Sequence, residues 1–142
     1  MTGREHNFSN DGLAIVEKYE AFVRYLYPIL QRSPRQHGVL RDVMLAALLP
    51  PVGGLYHAAR SRQVSRLHAV DAEFATLRSH LRLLVHLRIV SPRQHGTCLA
   101  LLADPGRMLG AWQKKLNRSR AAPVEPGSDA PPARPMGRAG ER

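Results

Sequence analysis

The side chains of this chain with the richest chemistry are seven histidines, one cysteine and a surplus of arginine. Two of the histidines have identical surroundings: "SPRQHG" is spelled at Ser33–Gly38 and again at Ser91–Gly96, an offset of 58 residues (91 minus 33). A matched pair, His37 and His95, is one way to begin a metal site, but such a site needs further N, S or O ligands converging on it. The sequence offers no H-E-x-x-H, no C-x-x-C and no carboxylate close to either histidine. His57, His68, His80 and His86 are scattered, most simply as polar or interfacial groups. Cys98 lies among Leu99, Leu101 and Leu102, where a thiol behaves as a small apolar side chain, and as the lone cysteine it closes no internal disulfide. Catalysis would need a nucleophile beside a base, or paired carboxylates. The acidic residues are few and dispersed, and no glycine-rich phosphate loop is present. The chain is therefore expected to be no enzyme and to use no metal or cofactor.

The arginines point elsewhere. With 21 Lys and Arg against 11 Asp and Glu, the net charge is +10 over 142 residues. The excess is concentrated in the second half, where Arg60, Arg62, Arg66, Arg78, Arg82, Arg88, Arg93, Arg107, Lys114, Lys115, Arg118 and Arg120 face only Asp71, Glu73 and Asp104. A half-chain so biased favours a polyanion. Arg78, Arg82 and His86 follow one another at i, i+4 spacing, on one stripe of a helix, and two arginines so placed repel unless something anionic lies opposite. Lys114, Lys115 and Arg118 form a second basic group. The two hexapeptides, with Arg35 and Arg93, are a further candidate for phosphate at helix N-termini, although a side-chain cap would compete for the same amides.

These residues must be carried by helices. Between Asp11 and Gln31 the apolar positions Ile15, Tyr19, Phe22, Leu26 and Ile29 recur at steps of four and three, which predicts a helix capped by Asn10 or Asp11, kinked by Pro28 and ending near Arg32. Over 63–90, Leu67, Val70, Phe74, Leu77, Leu81 and Leu84 form a sustained seam suited to shallow-angle helix packing. The other two helices each begin at a hexapeptide. Serine followed three residues later by glutamine is a capping box, and proline at the first helical position fits it, so both copies announce a helix start. Loss of either cap should cost about 1 kcal/mol. Pro50 and Pro51 should break or sharply kink the second helix, and Pro105 should disturb the fourth more mildly. Sliding the first half by 58 residues lays Val16, Tyr19, Val23 and Leu26 over Phe74, Leu77, Leu81 and Leu84, so the halves read as two similar helical hairpins. The expected fold is all-α, an up-and-down antiparallel four-helix bundle over 11–120, between a flexible N-terminus (1–10) and a disordered Pro/Ala/Gly-rich basic tail (121–142) that carries Arg134, Arg138 and Arg142. No apolar run approaches transmembrane length and no signal-peptide core is visible, so a cytoplasmic protein with no membrane partner is expected.

Three stretches then resemble a known family: "VEKYEAFVRYLYPILQRSPRQHGVLRDVML" (Val16–Leu45), "SRQVSRLHAVDAEFATLRSHLRLL" (Ser61–Leu84) and "GRMLGAWQKKLNR" (Gly106–Arg118). The combination of "YLYP" with "PRxHG", "LxxxDAxxAxLRxxLR" from Leu67 to Arg82, and "GRxLGxW" is similar to the accessory variability determinant proteins of diversity-generating retroelements. These lie within a wider four-helix-bundle group that includes proteins encoded in ribosomal RNA intervening sequences. The resemblance implies a homopentameric barrel, encoded by a bacterium or phage, that binds the element's reverse transcriptase and its template-repeat RNA or the cDNA copy, and that supports mutagenic retrohoming without chemistry of its own. It also implies roles for Arg78 and Arg82, in "LRxxLR", in contacting RNA, the reverse transcriptase or both; Arg107, in "GRxLG", and Lys114, Lys115 and Arg118 beyond it are weaker candidates. The alternative is a protein–protein adaptor of the intervening-sequence type that binds no RNA. The prolines in "LLPPVGG" and "ADPGRM" depart from the smooth helices expected of the family.

Overall fold

The computed structural model describes residues 3–120. Every described element is helical: α1 (Gly3–Gln31), a 3₁₀ turn (Arg35–His37), α2 (Gly38–Leu48), α3 (Pro50–Ser61), α4 (Val64–His86) and α5 (Pro92–Arg120). They make four rods, because α2 and α3 are one rod bent at Leu49. The rods close a ring of neighbours, α1 against α2–α3, α3 and α2 against α4, α4 against α5, and α5 back on α1. α1 begins at Gly3, ahead of the expected Asn10 or Asp11 boundary, and runs through Pro28 to Gln31.

The apolar periodicity becomes the core. All six seam residues of α4, from Leu67 to Leu84, are buried, as are Ile15, Tyr19, Phe22, Leu26 and Leu30 of α1. Tyr19 stacks on Phe74 at 5.4 Å between ring centroids and meets Phe22 at 5.8 Å, so aromatic rings fill the centre between α1 and α4. Gly54 lets α3 approach α4, since a Cβ there would stand 2.7 Å from a Val70 methyl carbon. Cys98, Leu102, Leu109, Trp112 and Leu116 supply the buried face of α5.

The two hexapeptides fold differently. At the second, the Ser91 N–H donates to Gln94 Oε1 (2.9 Å) and the Gln94 N–H donates to Ser91 Oγ (3.0 Å), the complete capping box. At the first, the box does not form. Ser33 Oγ donates instead to the Leu30 carbonyl (2.7 Å), Gln36 turns to the neighbouring His37 ring (3.4 Å), and a 3₁₀ turn precedes α2, which starts only at Gly38. The reason lies upstream. Ser33 comes two residues after the last residue of α1 and is drawn to its orphaned carbonyls. Before Ser91, α4 has already closed itself: Arg88 takes the left-handed conformation (φ 62°), its N–H reaches Val85 O (2.9 Å) and the Ile89 N–H reaches Leu84 O (2.9 Å). This is a Schellman ending with arginine where glycine is usual, and it leaves Ser91 free to open α5.

The double proline bends the second rod without unwinding it, since Leu49 keeps helical angles (φ −86°, ψ −32°). Pro50 and Pro51 donate nothing to the carbonyls of Ala46 and Ala47. The Val52 N–H then turns to Leu49 O (3.0 Å), which leaves the Leu48 carbonyl facing the core, and the buried Tyr19 hydroxyl donates to it. Pro105, by contrast, is buried within a continuous α5. The bent rod also departs from expectation in composition: Arg35–Ser61 is long and apolar enough to cross a membrane by those two criteria alone. Its apolar residues face both ways, with Met44, Leu48 and Leu55 in the core and Val39, Val43, Leu49 and Tyr56 outward.

Candidate nucleic-acid interface

Arg78 and Arg82 stand on the edge of α4 that faces α5. Antiparallel pairing across the 87–91 turn brings the start of α5 opposite them, and the two helices enclose an open cleft of about 380 Å³ lined by Ala75, Arg78, Ser79, Arg82, His95 and Leu99. Arg78 is half-buried and Arg82 exposed. Neither has an ion-pair partner among the described residues. Two guanidiniums one helical turn apart, with no carboxylate to neutralise them, form a place where an anion is stabilised from two sides. His95 lines the same cleft, and its Nε2 is buried without a hydrogen-bond partner.

The fourth-rod cations lie elsewhere. Arg107 pairs with Asp104 one turn back, both side chains exposed. Lys115 reaches Asp11 of α1 at 3.0 Å, beside a smaller cleft of about 130 Å³ lined by Ile15, Met108, Ala111 and Trp112. Lys114 and Arg118 are exposed with no ion-pair partner among the described residues. At 1.5 Å per residue, Lys114 is roughly 22 Å along α5 from Leu99, so these cations form a separate patch. Surface pairs such as those of Arg107 and Lys115 are worth under about 1 kcal/mol and yield readily to a stronger anion. Arg134, Arg138 and Arg142 of the tail lie outside the described residues.

The opposite edge of α4 is acidic. Glu73 lies with Ala47, Pro50, Ala72 and Thr76 around a cleft of about 190 Å³ beside the bend, and burial raises its carboxyl above the usual range. Burial first, and the Glu73 charge second, push the Tyr19 hydroxyl well above its ordinary value, so it stays a donor to Leu48. Burial also pushes the Cys98 thiol up to about 11, which suppresses the thiolate that reactivity requires. Among the described residues no three of His, Cys, Asp and Glu come together in a way that could hold a metal ion.

The sequence located Arg78 and Arg82 but not the facing wall. His95 was visible as part of a repeat, and Leu99 as its neighbour four residues on. What joins them to the arginines is the register of α4 against α5, which periodicity alone does not specify.

No curated protein matches the chain. The model of the bAvd-like family matches residues 13–116, a span that takes in all four rods, both hexapeptides and the arginine cleft. With its four helical rods and that match over most of its length, the chain belongs to the bAvd-like family, the accessory variability determinants.

Proposed function

We propose that the protein is a non-enzymatic accessory subunit of a diversity-generating retroelement, working in the cytoplasm of a bacterium, that holds the reverse transcriptase and the template-repeat RNA on a basic surface centred on Arg78 and Arg82. The observation that carries this reading is the convergence of those two arginines, unpaired among the described residues, on one cleft of a chain with net charge +10. Phosphates neutralised there release counterions, which gives affinity with little base preference. The polymerase chemistry belongs to the partner, and the accessory protein contributes position. Lys114 and Arg118 extend the same role to a second patch, with Arg107 and Lys115 joining when their internal pairs open.

A homopentamer fits this role, because repetition of a weak basic site around a ring multiplies affinity through avidity. The outward apolar side chains of the bent rod supply a contact surface of the right character: Val39 is 82% exposed, Leu49 68% and Tyr56 51%. A neighbouring chain seated on this rod would cover them. They also favour the second reading, a protein–protein adaptor that binds no RNA.

Charge reversal of Arg78 and Arg82 to Glu separates the two. On the RNA reading, retention of template RNA falls and the slope of log affinity against log salt drops by about 0.7 for each single-strand phosphate that is no longer neutralised, while the mass in solution stays that of the assembled oligomer. Loss of reverse transcriptase capture alone, with RNA binding unchanged, would make the cleft a protein-docking site. A monomeric mass for the wild-type protein would remove the pentamer.

A further inference from the structure

Phosphate recognition needs cations, and it has no use for apolar walls. Yet the α4–α5 cleft pairs its two arginines with Ala75, with Leu99, which keeps 36% of its surface exposed, and with the imidazole of His95. A leucine open beside two unpaired arginines and a half-buried imidazole presents an apolar and aromatic surface that a site meeting only phosphate and water does not use. That surface is used if the ligand carries a flat apolar face beside its phosphates.

Nucleic acid offers that combination only where it is unpaired. In an A-form duplex the bases are stacked inside and the protein meets mostly phosphates and 2′-hydroxyls. In a single strand a base swings out, stacks on His or on an Arg guanidinium plane, and bonds through its edge. The cleft holds both kinds of stacking partner on facing helices, and its volume of about 380 Å³ falls in the range of pockets that enclose small planar ligands, roughly 300–1,000 Å³.

We infer that the cleft holds one unpaired nucleobase of a single-stranded RNA, its face against Leu99 and the His95 ring, and its flanking phosphates on Arg78 and Arg82. The inference rests on the RNA reading above and adds the strand state: the accessory protein grips template that has been opened or was never paired. The base would be received beside the capped N-terminus of α5. There the second hexapeptide contributes a side chain, His95, to the cleft.

The test uses the full chain with three labelled RNAs of about 12 nucleotides, within the span of one single-strand binding module: a single strand, the same ribose-phosphate strand made abasic at its central positions, and a blunt duplex. The single strand should bind about tenfold more tightly than either of the others, given that stacking of one base is worth roughly 5- to 150-fold on substitution. Leu99→Ala and His95→Ala should bring that ratio towards one while leaving the salt slope unchanged. Arg78→Gln and Arg82→Gln should lower the slope. A 2-aminopurine at the central position of the strand should change its emission when wild-type protein binds, a readout that depends on no variant folding. Equal affinity for the normal and abasic strands, with Arg78→Gln still weakening both, overturns the base pocket and leaves the RNA reading standing. Indifference to RNA of every kind, or to both arginine substitutions, overturns the RNA reading itself.

Discussion

The two hairpins of the bundle carry the same six residues at the same structural place, and only one of them uses those residues as a capping box. In the α4–α5 hairpin the preceding helix ends on its own Schellman turn, and Ser91 and Gln94 are released to start α5. In the α1–α2 hairpin Ser33 serves the helix behind it, and α2 begins after a 3₁₀ turn. A capping sequence is therefore an offer that the preceding helix end can decline. The hairpins also handle proline differently. Pro105 is absorbed inside α5, whereas Pro50 and Pro51 bend the second rod and turn the Leu48 carbonyl towards a tyrosine. At the equivalent place in the second hairpin, 58 residues on from Tyr19, stands Leu77, which has no hydroxyl to donate.

That contrast breaks most visibly at Tyr19. Tyr19→Phe keeps the ring against Phe74 and removes only the donor, so a buried carbonyl loses its partner and the cost should be about 1–3 kcal/mol in urea unfolding. A neutral substitution would mean that the bend satisfies itself and that the first hairpin has no need of the hydroxyl. The serines sharpen the contrast further. Ser91→Ala should cost about 1 kcal/mol, since it removes the acceptor of the Gln94 amide, and Gln94→Ala, which frees the Ser91 amide, should cost somewhat less. Ser33→Ala should cost less, about 0.5 kcal/mol, because the Leu30 carbonyl it serves also accepts the Ser33 N–H (3.1 Å) and keeps that partner, and Gln36→Ala nothing measurable. Equal costs at the two serines would contradict the different uses assigned to them.

A small, pH-dependent effect is expected where the hairpins meet, at Glu73 beside Pro50. Burial raises its pKa, so between the ordinary carboxylate value and the raised one the folded state binds more protons than the unfolded chain, and stability falls as pH rises through that interval. Glu73→Gln should accordingly raise the melting temperature slightly at neutral pH, and the gain should disappear once the pH drops below the ordinary carboxylate range. A gain that persists in acid would place its origin in packing.

Most of the architecture was legible because it depends on one-dimensional information. The three-four spacing from Leu67 to Leu84 names the buried face of α4 without any knowledge of its partners, and the i, i+4 spacing within the basic half singles out Arg78 and Arg82 as candidates. Features that depend on two segments at once were not legible. Ser33 and Ser91 are indistinguishable until the ends of α1 and α4 are known. Tyr19 reads as one more core aromatic until the bend turns Leu48 towards it. His95 and Leu99 join the arginines only through helix register, and Arg107 and Lys115 lose part of their availability to Asp104 and Asp11, the second pairing 104 positions apart in sequence. The start of α1 at Gly3 lies beyond any apolar signal, since "GREHNFSN" carries no apolar periodicity to read.

The buried cysteine has a practical consequence. Cys98 is the chain's sole thiol, fully covered one turn beyond His95 and held protonated by its surroundings. An alkylating reagent can reach it only when α5 lifts from the core, so the labelling rate in the native protein counts opening events of the helix that carries one wall of the arginine cleft. The molecule thus contains its own clock for that helix, readable by mass spectrometry with and without RNA and without altering a residue.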